Sequence, residues 1–187
     1  MSKKQNTRDR IVQSAAKLFR ANGYVSTGID AVMADAGLTA GAFYSHFKSK
    51  DALFAEILPF ASKQALRERV DQCDGSLSLE RFIDTYLSEK HRDDRSNGCP
   101  FAALGAEIGH ASLSTRRKAQ REIAEVFAYL NREFGAPREA FAPIMALLVG
   151  AMIMSRFHTK AEGARLFAEC RRAARFIAGQ GPARKRG

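Results

Sequence analysis

Apolar residues recur along this chain at three- and four-residue intervals, the spacing that gives a helix one buried face. Ile11, Ala15, Leu18 and Phe19 form the first such stripe, on a helix that Thr7 can cap. Asn22-Gly23 closes it, and Tyr24 just beyond can fold back as the apolar partner of that stop. Ile29, Val32, Met33 and Ala36 make the second stripe, with Thr27 as N-cap and Asp30 in the first turn opposing the exposed N–H groups. Gly37 stands where a left-handed residue ends that helix, Leu38 is an apolar anchor, and Thr39 can cap a third helix. This third helix is only about two turns long. It keeps Phe43 and Phe47 inward and sends Thr39, Ala40, Ala42, Tyr44, Ser45 and His46 outward or to its edges.

The pattern continues with Leu53, Ile57, Ala61, Ala65 and Leu66, the single face of a helix from Ser49 toward Val70. Pro59 lies inside it and is expected to kink or weaken the ladder. Asp74-Gly75-Ser76 is a break. Ser76 or Ser78 then caps a helix that buries Phe82, Ile83, Tyr86 and Leu87. His91 to Gly98 reads as a charged surface loop. A short Ala- and Gly-rich helix starts after Pro100, where Gly105 and Gly109 would let another helix approach. Ser112 or Ser114 caps a long helix from about Thr115 to Phe134, with Ala119, Ile123, Val126, Phe127 and Leu130 inward. Beyond Gly135-Ala136-Pro137, the segment 138–158 is apolar nearly all round, so it must be covered on both sides. Leu166, Phe167, Cys170, Ala173, Ala174 and Ile177 give the final helix, about 161–179, its stripe. The fold class is therefore all-α, with about nine helices.

Two short helices joined by a glycine turn form a helix-turn-helix, whose second helix can enter a DNA major groove. The basic run just after it adds a physical hint. Lys48 and Lys50 flank the cap Ser49, at a helix start where the macrodipole disfavours cations. A DNA phosphate would remove that conflict; two solvated lysines tolerating a penalty below ~1 kcal/mol is the other reading.

The run from Arg10 to Phe54, RIVQSAAKLFRANGYVSTGIDAVMADAGLTAGAFYSHFKSKDALF, resembles the DNA-binding domain of the TetR family of bacterial transcriptional regulators. The NGY stop, the Thr, the AGLT turn, the FYSHF helix and KSKDAL occur in order over roughly 45 consecutive positions. Met33 stands where alanine is more common, so the two helices are expected to cross slightly wider. The resemblance implies a three-helix DNA-binding domain over residues 5–65, its helix-turn-helix at about 28–47. It also implies a ligand-binding and dimerisation domain over 66–180, with a basic tail, 181–187, after it. The last two helices resemble the pair that forms a four-helix bundle across the dimer in this family.

Composition narrows the classes. The formal charge of +10 favours a polyanionic partner, and residues 1–50 carry 8 Lys/Arg against 3 Asp/Glu. The N-terminus lacks the apolar core of a secretory signal, and Ile144 to Met154 is shorter than the about 20 residues that span a bilayer. A cytoplasmic protein is expected. Three cysteines without paired spacing argue against a disulfide framework, and His46, His91, His110 and His158 are scattered. No metal, no cofactor and no catalytic constellation is expected, so the chain reads as a non-enzyme.

By the resemblance, the protein is a ligand-responsive regulator, a repressor that binds a palindromic operator as a homodimer and is released by a small-molecule effector. Thr39, Ala40, Ala42 and Ser45 take base-edge or groove positions, and Gly41 permits close approach. Thr27, Tyr44, His46 and Lys50 map at or near the phosphate backbone, with Lys48 beside them in the basic run. The recognition helix carries no Arg, Asn or Gln for bidentate base contacts, so hydroxyls, methyl contacts and dimer spacing set specificity. Candidate effector residues are Phe82, Tyr86, Cys99, Phe101, Leu104, His110, Phe127, Tyr129, Met145 and Met152, though helical spacing also fits plain core. Such a lining suits an apolar or aromatic ligand. Cys99, at a helix start before Pro100, is the basis of an alternative, a thiol-based redox or electrophile sensor; an inert half-buried thiol is the plainer reading. A non-specific architectural DNA protein is a further alternative, but it leaves the apolar final helices unexplained.

Overall fold

The computed structural model describes residues 3–71, 78–135 and 138–179. Among these residues the elements are all helical: α1 (Lys3–Asn22), α2 (Ile29–Asp35), a 3₁₀ helix (Ala40–Ser45), α3 (Lys50–Asp71), α4 (Leu79–Tyr86), α5 (Glu89–Asp93), α6 (Pro100–His110), α7 (Leu113–Phe134), α8 (Arg138–Ser155) and α9 (Lys160–Gly179). The break expected at 74–76 and the tail at 181–187 lie outside the described residues.

Packing divides the chain into two compact units that do not follow chain order. The described residues up to Ala65 pack with Arg95–Ile123, and those between Leu66 and Asp94 pack with the described residues from Ala124 onward. The expected second domain, 66–180, is thus shared between the units, because α6 packs on α1.

The first unit is built on the apolar stripes. Ile11, Ala15 and Phe19 of α1, Val32 and Met33 of α2, Phe43, and Leu53 and Ile57 of α3 are fully buried in one core, which also takes Leu104 of α6. Gln5 donates to Asp9, one turn on, and no Gly or Pro interrupts residues 3–6, so α1 begins at Lys3 and Thr7 lies inside it rather than capping it. Gly23 (φ +86°) stops α1. Ser49 caps α3, its Oγ accepting from Ala52 N–H at 3.0 Å, and the helix runs on through Pro59. Ser112 caps α7 in the same way, accepting from Thr115 N–H. A Cβ on Gly105 or Gly109 would meet nothing within 4 Å among the described residues, so the gap they leave is open there.

In the second unit, Ser78 caps α4 through Arg81 N–H. The segment read as a loop from His91 begins as helix α5. Ser88 accepts from His91 N–H, His91 Nδ1 lies 2.7 Å from the Tyr86 carbonyl oxygen, and His91 and Arg92 are both buried. Arg92 pairs with Asp93, and Gly163 of α9 lets its guanidinium approach: a Cβ there would stand 3.2 Å from it. Charge therefore does not mean exposure in this stretch. α8 ends at Ser155, short of the expected 158, because Arg156 and Phe157 close it with tight bonds to Ile153 and Met154. Thr159 and Glu162 then cap α9 reciprocally. α8 and α9 pack along each other, and α9 is tied to the α4 end by Arg171, which donates to Leu87 O, and by Arg175, whose Nη2 donates to both carboxylate oxygens of Asp84.

Candidate nucleic-acid interface

The turn of the helix-turn-helix is built by backbone geometry. α2 closes with Gly37 N–H donating to Ala34 O at 2.9 Å and Leu38 N–H to Met33 O at 2.9 Å, which requires Gly37 at φ +65°. Leu38 anchors the turn against the core. Arg10 reaches from α1 and donates to Ala36 O at 2.5 Å, placing a cation at the C-terminal end of α2, where the dipole favours one. One arginine is thereby committed to the scaffold rather than to free solvent.

The expected second α-helix is a 3₁₀ helix of 6 residues. Its hydrogen bonds close at i+3, from Ala42 N–H to Thr39 O and from His46 N–H to Phe43 O, with a wider bond only at Phe47. So short a segment gains little from α geometry, and two inward phenylalanines four apart fix its orientation. Phe43 and Phe47 are 0% and 3% exposed, with ring centroids 5.7 Å apart. Thr39 holds the N-cap position, but its hydroxyl makes no cap bond.

What remains outside is a small, even surface. Thr39, Ala40, Gly41, Tyr44 and Ser45 are exposed, while Ala42 and His46 are half-buried. Nothing lies within 4 Å of the space above Gly41, so another molecule can approach the backbone there. Tyr44 is 70% exposed and stands edge-on to Phe43 at 5.2 Å, its ring braced and its hydroxyl outward from the core.

Two expectations around this surface change. Thr27 does not cap α2; Gly28 holds that position. Thr27 is 3% exposed and its hydroxyl donates to Gly23 O at 2.8 Å, serving the orphan carbonyls at the end of α1. Lys50 needs no external anion: its ammonium lies 4.3 Å from the Tyr24 ring centre, with Asp51 beside it, and burial lowers its pKa. Tyr24 in turn donates to Asp51 and packs on Phe19 and Phe54; burial first, then that bond, pushes its phenol well above the ordinary range. Arg8 is also engaged within the unit. It is bidentate on Glu56 of α3 and sits 4.4 Å over the Phe47 ring. Lys48 remains exposed.

The ten effector candidates fall in both units. Phe82, Tyr86, Phe127, Tyr129, Met145 and Met152 belong to the second unit; Cys99, Phe101, Leu104 and His110 belong to the first. Phe82 packs against Tyr86 and Phe134, and Phe127 packs edge-on to Phe141. Leu104 is committed to the core beneath the helix-turn-helix, His110 is exposed, and Phe101 is half-buried. Cys99 holds the N-cap position of α6 but makes no cap bond and is 6% exposed, which does not favour the thiol-sensor alternative. Among the described residues no group of three or more His, Cys, Asp or Glu is placed to hold a metal ion, and no helix is long and apolar enough to cross a membrane.

Known proteins share this arrangement. Residues 11–57 match the profile of the family described as bacterial regulatory proteins, tetR family. The chain is 24% identical over 163 residues to the HTH-type transcriptional regulator LmrA of Bacillus subtilis, covering 80% of this chain and 86% of that protein. It is 30% identical over 130 residues to an uncharacterized HTH-type transcriptional regulator of Mycobacterium tuberculosis, spanning 68% of this chain and 66% of that one. The crystal structure of a TetR transcriptional regulator from Chloroflexus aurantiacus superposes with a TM-score of 0.72 at 26% identity, covering 97% of this chain and 98% of that one.

Proposed function

The chain belongs to the TetR family of bacterial regulators, and from that premise we propose that it is a repressor released from a palindromic operator by a small-molecule effector. The observation that carries the DNA half of this reading is the surface of the 3₁₀ helix. Small and hydroxyl-bearing residues, Thr39, Ala40, Gly41 and Ser45, stand exposed on a segment pinned from beneath by Phe43 and Phe47. Ala42 completes the groove-facing set, and Tyr44, His46, Lys48 and Lys50 are assigned to phosphate. For Lys50 this means leaving the Tyr24 ring when DNA arrives, and Thr27 acts by fixing the end of α1 rather than by contact.

The homodimer is assigned to the helices at 138–158 and 161–179, where Met154, Phe157 and Phe176 are exposed large apolar side chains. A two-fold dimer reads two half-sites about one DNA turn, ~34–36 Å, apart. The regulatory region stays at 66–180, with the effector site among Phe82, Tyr86, Phe127, Tyr129, Met145 and Met152; their aromatic and thioether character suits an apolar or aromatic ligand. A screen that returned only highly polar inducers would contradict that assignment. Catalysis is not part of the reading, and a cytoplasmic location is. A footprint upstream of the protein's own gene tests the whole: protection of a two-fold site, weakened by Tyr44→Ala or Lys50→Ala, is expected. A protected site bound equally by both variants would overturn the residue assignment.

A further inference from the structure

A cleft of about 450 Å³ opens on the first unit, is lined by none of the apolar residues assigned to the effector, and lies wholly within that unit. Its walls come from one face of α1, the C-terminal end of α2 with Gly37, Gln64 of α3 and Asn97. The charged side chains lining it are Arg10, Lys17 and Arg20 against a single carboxylate, Asp35. Lys17 donates to Asp35 at 2.8 Å, and that bond is the main cause of the depressed Asp35 pKa. Two guanidinium groups therefore face a cleft whose one carboxylate already has a cation.

The two arginines are held differently. Arg20 is 4% exposed and fixed by donating to Ala16 O, Gly98 O and Gln64 Oε1. Arg10 is exposed and donates from Nη2 to Ala36 O, leaving other N–H groups of its fork to reach a guest. A buried cation, an exposed one and the amides of the same lining match a small oxyanion, because guanidinium forks recognise carboxylate and phosphate in two-point fashion. A cleft of this volume is large enough for a small metabolite.

We propose that this cleft binds a small phosphate- or carboxylate-bearing molecule and that its occupancy sets the affinity of the helix-turn-helix for DNA. Arg10 links the two roles. The same guanidinium that would hold the anion also caps α2 at Ala36 and lies 3.0 Å from where a Cβ on Gly37 would be. An anion that draws Arg10 or Lys17 toward itself loosens the restraint on the end of α2, and so on the turn that aims the 3₁₀ helix. The site lies outside the residues proposed for the effector; its binding half stands without the operator reading, and its regulatory half rests on it.

Isothermal titration of the full chain at fixed ionic strength tests this, with inorganic phosphate, pyrophosphate and citrate as probes and chloride as reference. Saturable binding of a phosphate or carboxylate probe is expected, weakened at least about tenfold in Arg10→Gln and in Lys17→Gln and unchanged in Tyr44→Ala. The phosphate and citrate arms separate the two anion classes. Arg20→Gln is avoided because a buried, multiply bonded arginine is needed for folding. No saturation by any probe, the same heat from chloride, or binding lost in Tyr44→Ala but kept in Arg10→Gln and Lys17→Gln would overturn the site. If the anion binds at the cleft, DNA anisotropy with and without it reads the coupling. Equal DNA affinity in both states would overturn the regulatory half alone, and absence of any DNA binding would overturn the operator reading instead.

Discussion

Around the 3₁₀ helix, Phe43 and Phe47 turn inward and are 0% and 3% exposed; along the α8–α9 pair, Phe157 and Phe176 turn outward and are 79% and 68% exposed. The first region completes itself. Its apolar rings are covered by α1 and α3, the carbonyls at the end of α1 are met by Thr27, the end of α2 by Arg10, and Lys50 by Tyr24. What it leaves outside on the 3₁₀ helix is small or hydroxyl-bearing: Thr39, Ala40, Gly41 and Ser45, with the ring of Tyr44 among them. The second region buries Phe141, Ile144, Leu148 and Met152 and still presents large apolar side chains to its surroundings. One surface is shaped to meet a polar, hydrated partner; the other asks for an apolar one.

Truncation and charge substitution separate these two designs. Phe43→Ala is expected to have the largest effect: a fully buried ring is lost beneath the recognition surface, costing about 3–5 kcal/mol in urea unfolding. A loss below about 1 kcal/mol would show that the first region is not closed in the way described. Phe176→Glu should leave folding nearly intact and shift the monomer–dimer equilibrium by roughly 2 kcal/mol or more, read by sedimentation. An unchanged dimer would move the interface away from α9. Tyr44→Ala is expected to weaken operator binding about tenfold, ~1.4 kcal/mol, with thermal stability within about 0.5 kcal/mol of the parent.

Smaller effects sharpen the electrostatic side. Lys48→Ala should reduce the slope of log affinity against log salt by about 1.8 for the dimer, about 0.9 for the one phosphate that each copy of Lys48 contacts. An unchanged slope would mean that Lys48 stays in solvent when DNA binds. Asp35, whose pKa is lowered by Lys17, contributes stability that is present above the ordinary carboxylate range and lost as pH falls through its depressed folded value. Since the pair is partly exposed, Asp35→Asn should remove no more than about 0.5 kcal/mol of acid sensitivity in thermal unfolding.

The contrast also governs what could be read from residues alone. Gly37, Leu38, the inward pair Phe43 and Phe47, and the caps Ser49, Ser78 and Ser112 are set by interactions within a few positions, and local pattern exposes them. Thr27 hides its partner because its hydroxyl turns back to α1 instead of forward to α2. Arg8 and Glu56 are 48 positions apart, so nothing near either one reveals the pair. The α5 helix was masked by its charge: Arg92 is buried because Asp93 pairs with it and Gly163, far along the chain, makes room. Ser88 three residues before His91, with Glu89 between, is the signal that marks this helix start; Thr159 and Glu162 mark α9 in the same way. The effector candidates divide between the two units because the packing of α6 on α1 is a long-range fact that helical periodicity does not contain.

Selection from a pool of random DNA duplexes by the full chain reads the recognised sequence and its symmetry together. Enrichment of a two-fold symmetric sequence with half-site centres one turn, ~34–36 Å, apart is expected, and so is loss of that enrichment when Tyr44 is replaced by alanine. Binding without any enriched sequence, or the same enriched sequence from the Tyr44→Ala protein at undiminished affinity, would contradict it.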